Sequence, residues 1–147
     1  MGDAYRIVDN KVDFEAFKSL LRIAKLPVDD LDLTRDFLVG YYENDNMVGT
    51  GGLEIYGDYA LLRSLSVRTD IRGKSIGTTM TNFLLDKARQ SNVKAVYLLT
   101  ETARDFFLKK TFSDIDRSLV PEAVKASSEF QSVCPISARA MVLNLRS

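Results

Sequence analysis

Three extended runs, Asp36 to Tyr42, Met47 to Tyr56 and Tyr59 to Val67, follow one another with little but the tight-turn pairs Asn44-Asp45 and Gly57-Asp58 between them. Asn, Asp and Gly tolerate the positive φ angles of two-residue turns, so the spacing predicts an antiparallel three-strand meander. The pattern changes abruptly after Val67. A polar stretch, Arg68 to Ser75, leads into a segment whose apolar residues Ile76, Met80, Phe83, Leu84 and Ala88 recur at helical spacing. A chain that passes from a meander to an amphipathic helix must cover a sheet with helices.

The rest of the chain fits that demand. Tyr5 to Val8 reads as a first strand. Asp13 is a candidate cap for a helix carrying Phe14, Phe17, Leu21 and Ala24 on one face, ended by Pro27. Val28 to Leu33 is an acidic connection with room for a short helix. Ala95 to Leu99 is an apolar strand, about Thr102 to Lys110 a helix, and Phe112 to Ile115 a strand. Pro121 suits the first turn of a further helix with Val124, Phe130 and Val133 on its apolar positions and Pro135 as its stop. Ser137 to Leu145 closes the chain as a strand. The expected fold class is α/β (α+β), a mixed and mostly antiparallel sheet of about seven strands flanked by helices, with residues 1–147 forming one domain.

Composition narrows the chemistry. Of 147 residues, 20 are Lys or Arg and 20 are Asp or Glu, so no broad electrostatic grip on nucleic acid or an anionic membrane is expected. The chain has no histidine, which excludes a Ser-His-Asp triad, a histidine base and a histidine-ligated metal. Its one cysteine, Cys134, cannot form an internal disulfide, which suits a reducing cytoplasm. The first residues do not read as a signal peptide, and no apolar run reaches the ~20 residues of a membrane span.

The stretch Leu65-Ser66-Val67-Arg68-Thr69-Asp70-Ile71-Arg72-Gly73-Lys74-Ser75-Ile76-Gly77-Thr78 runs from strand through polar turn to helix start. Free N–H groups and the positive end of a helix dipole make such a turn an anion site. Gly73 and Gly77 lack a Cβ that would hold a phosphate away, and Arg72 and Lys74 add positive charge. A Walker A loop is excluded because Arg68 stands where its first glycine belongs. A dinucleotide fingerprint starting at Gly49 and Gly51 fails at Glu54. As a bare string, the segment fits a solvated turn with a helix cap as well as a phosphate site.

In its context, Arg72-x-x-x-x-Gly77 resembles the acetyl-CoA pyrophosphate loop of the GNAT superfamily of N-acetyltransferases, with Ser75 at the middle glycine position. The order of elements from Tyr5 to Leu145 resembles that fold. The stretch Thr102 to Phe112 resembles a later family segment, with Phe107 in place of a frequent tyrosine and Thr111 in place of a glycine. Gly52 to Gly57 with Leu61 to Leu65, Val96 to Thr100, and Phe130 to Ala138 are similar to the acetyltransferase branch often encoded in bacterial arsenic-resistance operons.

This resemblance implies acetyl-CoA as cosubstrate and direct transfer of its acetyl group to a small-molecule amine, an amino acid or amino-acid-like toxin among the candidates. It implies that the main chain around Leu65 and Val67 binds the pantetheine arm and that an N–H there faces the thioester oxygen. Residues Arg72, Gly73, Lys74, Ser75, Ile76, Gly77 and Thr78 would cradle the pyrophosphate, with Thr100 and Phe107 beside the cofactor. Acetylation of a protein N-terminus or lysine, or a degenerate CoA-binding regulatory module, are the alternatives. No nucleic-acid or membrane partner is implied, and a homodimer is allowed.

The residues themselves leave the catalytic roles open. Without histidine the base must be a carboxylate, a phenol or water, and Glu54 is a candidate that reads equally as the partner of a cation. Arg63 suits a bidentate grip on a substrate carboxylate, or an ion pair with Glu54 across the strands. Tyr56 either lines the acceptor pocket or packs beside its turn. Phe107 has no proton for the leaving thiolate, so water, Ser64 or Thr100 would supply one. A single cysteine between Val133 and Pro135 reads as a buried packing residue rather than a nucleophile.

Overall fold

The expected turns have the backbone they require. Asn44 and Asp45 sit at φ 51° and 67°, and Gly57 at φ 62°. The computed structural model describes residues 4–68, 75–127, 130 and 138–145. Its strands are β1 (Ala4–Ile7), β2 (Phe37–Glu43), β3 (Asn46–Tyr56), β4 (Tyr59–Val67), β5 (Ala95–Thr100), β6 (Ser113–Asp114) and β7 (Arg139–Asn144). They form one seven-stranded sheet in the order β1-β2-β3-β4-β5-β7-β6. Among the described residues the β4–β5 pair is parallel and the other pairs are antiparallel.

Helix α1 (Lys11–Ile23) starts before the expected Asp13 cap. Asn10 is the cap: its side-chain oxygen accepts the Asp13 N–H at 2.9 Å, while its amide donates to the Asp13 carboxylate at 2.9 Å. Asp13 occupies the first turn, where its charge also favours the helix dipole. The helix stops with Ala24 outside it, and Val28 to Leu33 forms no helix. Helix α2 (Ile76–Gln90) follows the expected period, burying Ile76, Met80, Leu84 and Ala88, with Phe83 half-buried against Phe37. Helix α3 (Arg104–Lys109) buries Phe107.

The end of the chain departs further from expectation. The Phe112–Ile115 strand contracts to two residues, because Phe112 turns inward onto Phe107 instead of joining the ladder. Helix α4 (Glu122–Lys125) is one turn long, with Pro121 as its cap and Val124 buried. Val133, Cys134 and Pro135 lie outside the described residues, as do Arg72, Gly73 and Lys74.

Side-chain alternation divides the core into two faces. Leu38 and Met47 join Phe17 and Leu21 of α1 on one face, with Leu61 and Tyr97 packing on Val124 of α4 farther along it. Val39, Val48, Leu62, Val96 and Leu98 point the other way, onto α2 and Phe107. Gly51 makes the close approach of α2 possible: a Cβ there would lie 2.7 Å from Leu84 Cδ1 and 3.5 Å from Met80 Cε. Gly51→Val forces those side chains off their packing and should destabilise the fold by about 1–3 kcal/mol. Urea unfolding checks this, and an unchanged midpoint contradicts the close-approach account.

Candidate active site

The site begins where sheet pairing ends. Strands β4 and β5 pair only at Tyr59 with Ala95, Ala60 with Val96 and Leu61 with Tyr97. Both strands continue, β4 to Val67 and β5 to Thr100, so they diverge and open a wedge in the sheet. The wedge holds a cavity of about 1130 Å³. That exceeds the roughly 300–1,000 Å³ typical of small-ligand pockets and leaves room for an elongated ligand beside a small one.

Strand β4 supplies one wall of the cavity from Leu62 to Val67, including Arg63, Ser64 and Leu65. Strand β5 supplies the facing wall through Leu98, Leu99 and Thr100. Midway along β4 the ladder to β3 slips: Gly52 pairs with Arg63 and Thr50 with Ser66, so Gly51 faces both Ser64 and Leu65. Ser64 adopts φ 61° at this bulge. A non-glycine residue there costs on the order of 1–2 kcal/mol, which marks the bulge as held in place by its surroundings.

At one end the cavity meets the start of α2, lined by Ser75, Ile76, Gly77 and Thr78. Ser75 takes φ 61°, the left-handed conformation that a glycine at this position would adopt more readily, and makes no capping bond through its side chain. The first turn of α2 contains no acidic residue. Its leading N–H groups have no intrahelical acceptors, so this end of the cavity can bind an anion. Added bulk at Gly77 would meet Phe106 Cζ at an ordinary 3.6 Å; the protein's own packing therefore does not demand glycine here. Phe107 lines the floor, edge-on to Phe106 and Phe112. The Thr100 hydroxyl faces α3 and accepts the Ala103 N–H at 3.0 Å.

At the other end, beside Ala24, Leu26 and Pro27, lies a buried charge network. The Arg63 side chain is 0% exposed. Its guanidinium makes a bidentate contact with Asp30, with Nη2 2.9 Å from Oδ1, and donates to Glu54 Oε2 at 2.9 Å and to Ser64 Oγ at 3.2 Å. Glu54 is 4% exposed and also accepts the Tyr56 hydroxyl. Arg35, itself paired with Asp36, approaches Glu54 at 3.6 Å. Glu54 is thus not an exposed strand carboxylate, and the described lining of the cavity includes Arg63 and Ser64 but neither Glu54 nor Tyr56. Burial and the adjacent Glu54 carboxylate push the Tyr56 phenol well above its usual range, so it keeps its proton.

The sequence suggested the Glu54–Arg63 contact but not Asp30, which reaches Arg63 from a loop 33 residues earlier. The acidic run around Val28 to Leu33 was the available signal, without a register to say which carboxylate points inward. Burial by itself would raise the Asp30 carboxyl, but its hydrogen bonds and attraction to Arg63 outweigh that and hold it below the ordinary value of 3.8. Among the described residues no group of histidine, cysteine and carboxylate side chains is arranged to hold a metal, and no helix is long and apolar enough to cross a membrane.

Comparison with solved structures agrees with this architecture. The chain is similar to N-acetylglutamate synthase from Neisseria gonorrhoeae complexed with coenzyme A and L-arginine, at 15% identity and TM-score 0.80. The match covers 99% of this chain and 34% of the synthase, so the chain spans about a third of that protein. A GNAT-family acetyltransferase from Staphylococcus aureus Mu50 matches at 21% identity and TM-score 0.77 over 97% of this chain and 100% of the other. PaiA N-acetyltransferase from Thermoplasma acidophilum, in complex with coenzyme A, matches at 14% identity and TM-score 0.70 over 96% and 99%.

The Asp30–Arg63 pair carries a stability prediction. A carboxyl whose folded pKa is depressed contributes stability above its unfolded pKa, and that contribution is lost as pH falls through the folded value. Thermal unfolding should therefore drop in acid below about pH 4, and Asp30→Asn should lower the midpoint near neutrality and flatten part of the acid slope. Parallel pH–stability curves for parent and variant contradict the assignment. Over residues 8–112 the sequence matches the model of the Acetyltransferase (GNAT) family, and the chain belongs to that family.

Proposed function

We propose that the protein transfers the acetyl group of acetyl-CoA to the amine of a small molecule, the whole chain acting as one domain. The wedge between β4 and β5, with the Ser64 bulge at its centre and the open end of α2 at its rim, carries this reading. A CoA-sized ligand needs an anion site, an extended strip of main chain and a reacting end, and the cavity offers them in that order. The start of α2 takes the pyrophosphate, with Arg72, Gly73 and Lys74 expected to complete the loop. Leu65 to Val67 lines the same cavity and would lie alongside the pantetheine amides, in the manner of an added strand.

Catalysis then falls to the bulge and the charge network. The amine nitrogen attacks the thioester carbonyl carbon, the carbon–sulfur bond breaks, and CoA leaves as its thiolate. The Leu65 N–H stabilises the oxyanion that forms on the carbonyl oxygen. Ser64 Oγ already accepts from Arg63, so its own proton is left for the departing sulfur. A thiolate with a conjugate pKa near ~8.5 also leaves tolerably unaided, which makes Phe107 an acceptable neighbour.

Of the two roles the sequence allows Glu54, the geometry supports the anchoring one. Donors from Arg63 and Tyr56 occupy its two oxygens, so it fixes those side chains and leaves the amine proton to water in the cavity. Arg63 can grip an acceptor's carboxylate at two points only if that group displaces Asp30. An amino-acid-like acceptor, the class suggested by the resemblance to the arsenic-resistance branch, must therefore compete with a carboxylate of the protein itself. Amines without a carboxylate face no such competition.

The test is a thermal melt with acetyl-CoA. A ligand bound only to the native state at about a hundredfold its Kd adds roughly 2.7 kcal/mol, so the midpoint should rise by several degrees. Gly77→Asp should fold, since an acidic residue suits a helix's first turn, yet lose the shift by opposing the pyrophosphate. No shift in the parent overturns the cosubstrate assignment. If the shift is present, release of free CoA across a panel of amines and amino acids identifies the acceptor.

A further inference from the structure

Thr50 lies in the middle of β3, is 0% exposed, and pairs with Ser66 across the ladder. Its Oγ1 donates to the Ser64 backbone oxygen at 2.7 Å, across 14 residues of sequence. The slip between Thr50 and Gly52 leaves Ser64 and Leu65 outside the ladder register. A buried carbonyl without a donor costs about 1–3 kcal/mol, and the Thr50 hydroxyl removes that penalty. Thr suits the task because β-branching restricts χ1 and holds the hydroxyl on its target.

The consequence lies at the other end of the same peptide unit. The Ser64 carbonyl and the Leu65 N–H belong to one planar trans peptide, so they point in opposite directions. Tying the carbonyl to β3 turns the N–H away from β3, towards the side on which β4 has parted from β5. Leu65 lines the cavity there. We infer that Thr50 is a positioning residue for acetyl transfer: by fixing the Ser64–Leu65 peptide plane it aims the Leu65 N–H at the thioester oxygen. This rests on the acetyltransferase reading above. It adds a residue that touches neither substrate and acts only through the orientation of one backbone donor.

The test needs no knowledge of the acceptor. The carbonyl stretch of acetyl-CoA, labelled with carbon-13 at the acetyl carbonyl, is recorded by difference infrared spectroscopy free and bound to the parent, Thr50→Val and Thr50→Ser proteins. The Leu65 hydrogen bond should shift the parent's bound carbonyl to lower frequency. Thr50→Val keeps the volume and removes the donor, so its bound carbonyl should return towards the free position. Thr50→Ser keeps the donor and should keep the shift. With any acceptor found, Thr50→Val should lower kcat by about 10- to 100-fold, less than outright loss of an oxyanion donor, with KM for acetyl-CoA within about twofold.

A loss of stability alone would move neither the carbonyl frequency nor the split between kcat and KM in the folded fraction. Thr50→Cys, with similar bulk and a weak donor, covers the case in which the valine variant does not fold; it should lose most of the shift. A parent-like shift in either donor-poor variant, or an unshifted carbonyl in the parent complex, overturns the proposal. Failure of the parent to bind acetyl-CoA in the thermal melt overturns instead the function on which it rests.

Discussion

Three residue pairs of parallel ladder hold β4 to β5, and then the ladder stops. A parallel pair within a sheet is normally buried and continuous, and here its interruption opens the wedge in which the cavity lies. In the acetyl transfer proposed above, an extended ligand with its own amides lies along the parted strands. The opening also exposes the only stretch of β4 where side chain, bulge and backbone N–H come together within a few residues. The crossover helix α2 is inserted between the two strands in sequence, so its N-terminus is delivered to the wide end of the wedge. Pairing, cavity and the placing of the α2 N-terminus at its rim are thus consequences of one topological feature.

The opposite end of the wedge is closed by charge. Arg63 is buried, and an unpaired guanidinium there would be very costly; Asp30 and Glu54 make its burial tolerable. Such pairs add little net stability compared with an apolar core, yet removing one partner typically costs about 3–5 kcal/mol. Their effect here is specific. The Asp30 contact pins the loop between α1 and β2 to β4, placing Ala24 to Pro27 on the cavity rim. In the acetyl transfer proposed above, the same contact occupies the cation that a carboxylate-bearing acceptor would seek, which would couple the stability of the loop to the choice of acceptor.

What the sequence made legible follows the reach of each signal. Turns at Asn44-Asp45 and Gly57-Asp58 depend on local φ preferences, and α2 on a sustained helical period, so both could be read directly. Asn10 and Asp13 are both good cap residues, and only the geometry shows that they cap together. Phe112 looks like a strand residue but follows Phe107 into the core. The bulge at Ser64 adds one residue to a strand without altering its composition, and the Thr50 bond to it depends on register rather than on residue type. The Asp30–Arg63 contact spans 33 residues and depends on where a loop folds back. A motif pointed to the end of the cavity at the start of α2, whereas the charge network at the other end had to be seen in three dimensions.

The central claim is that the cosubstrate occupies the wedge and uses the backbone of β4 and the start of α2. Hydrogen–deuterium exchange with and without acetyl-CoA addresses it at the level of individual amides. The account predicts slowed exchange at Leu65 to Val67 and at Ile76 to Thr78, with β1 and β2 unchanged. Protection confined to β1 and β2, or none at either wall of the wedge under saturating acetyl-CoA, would contradict it.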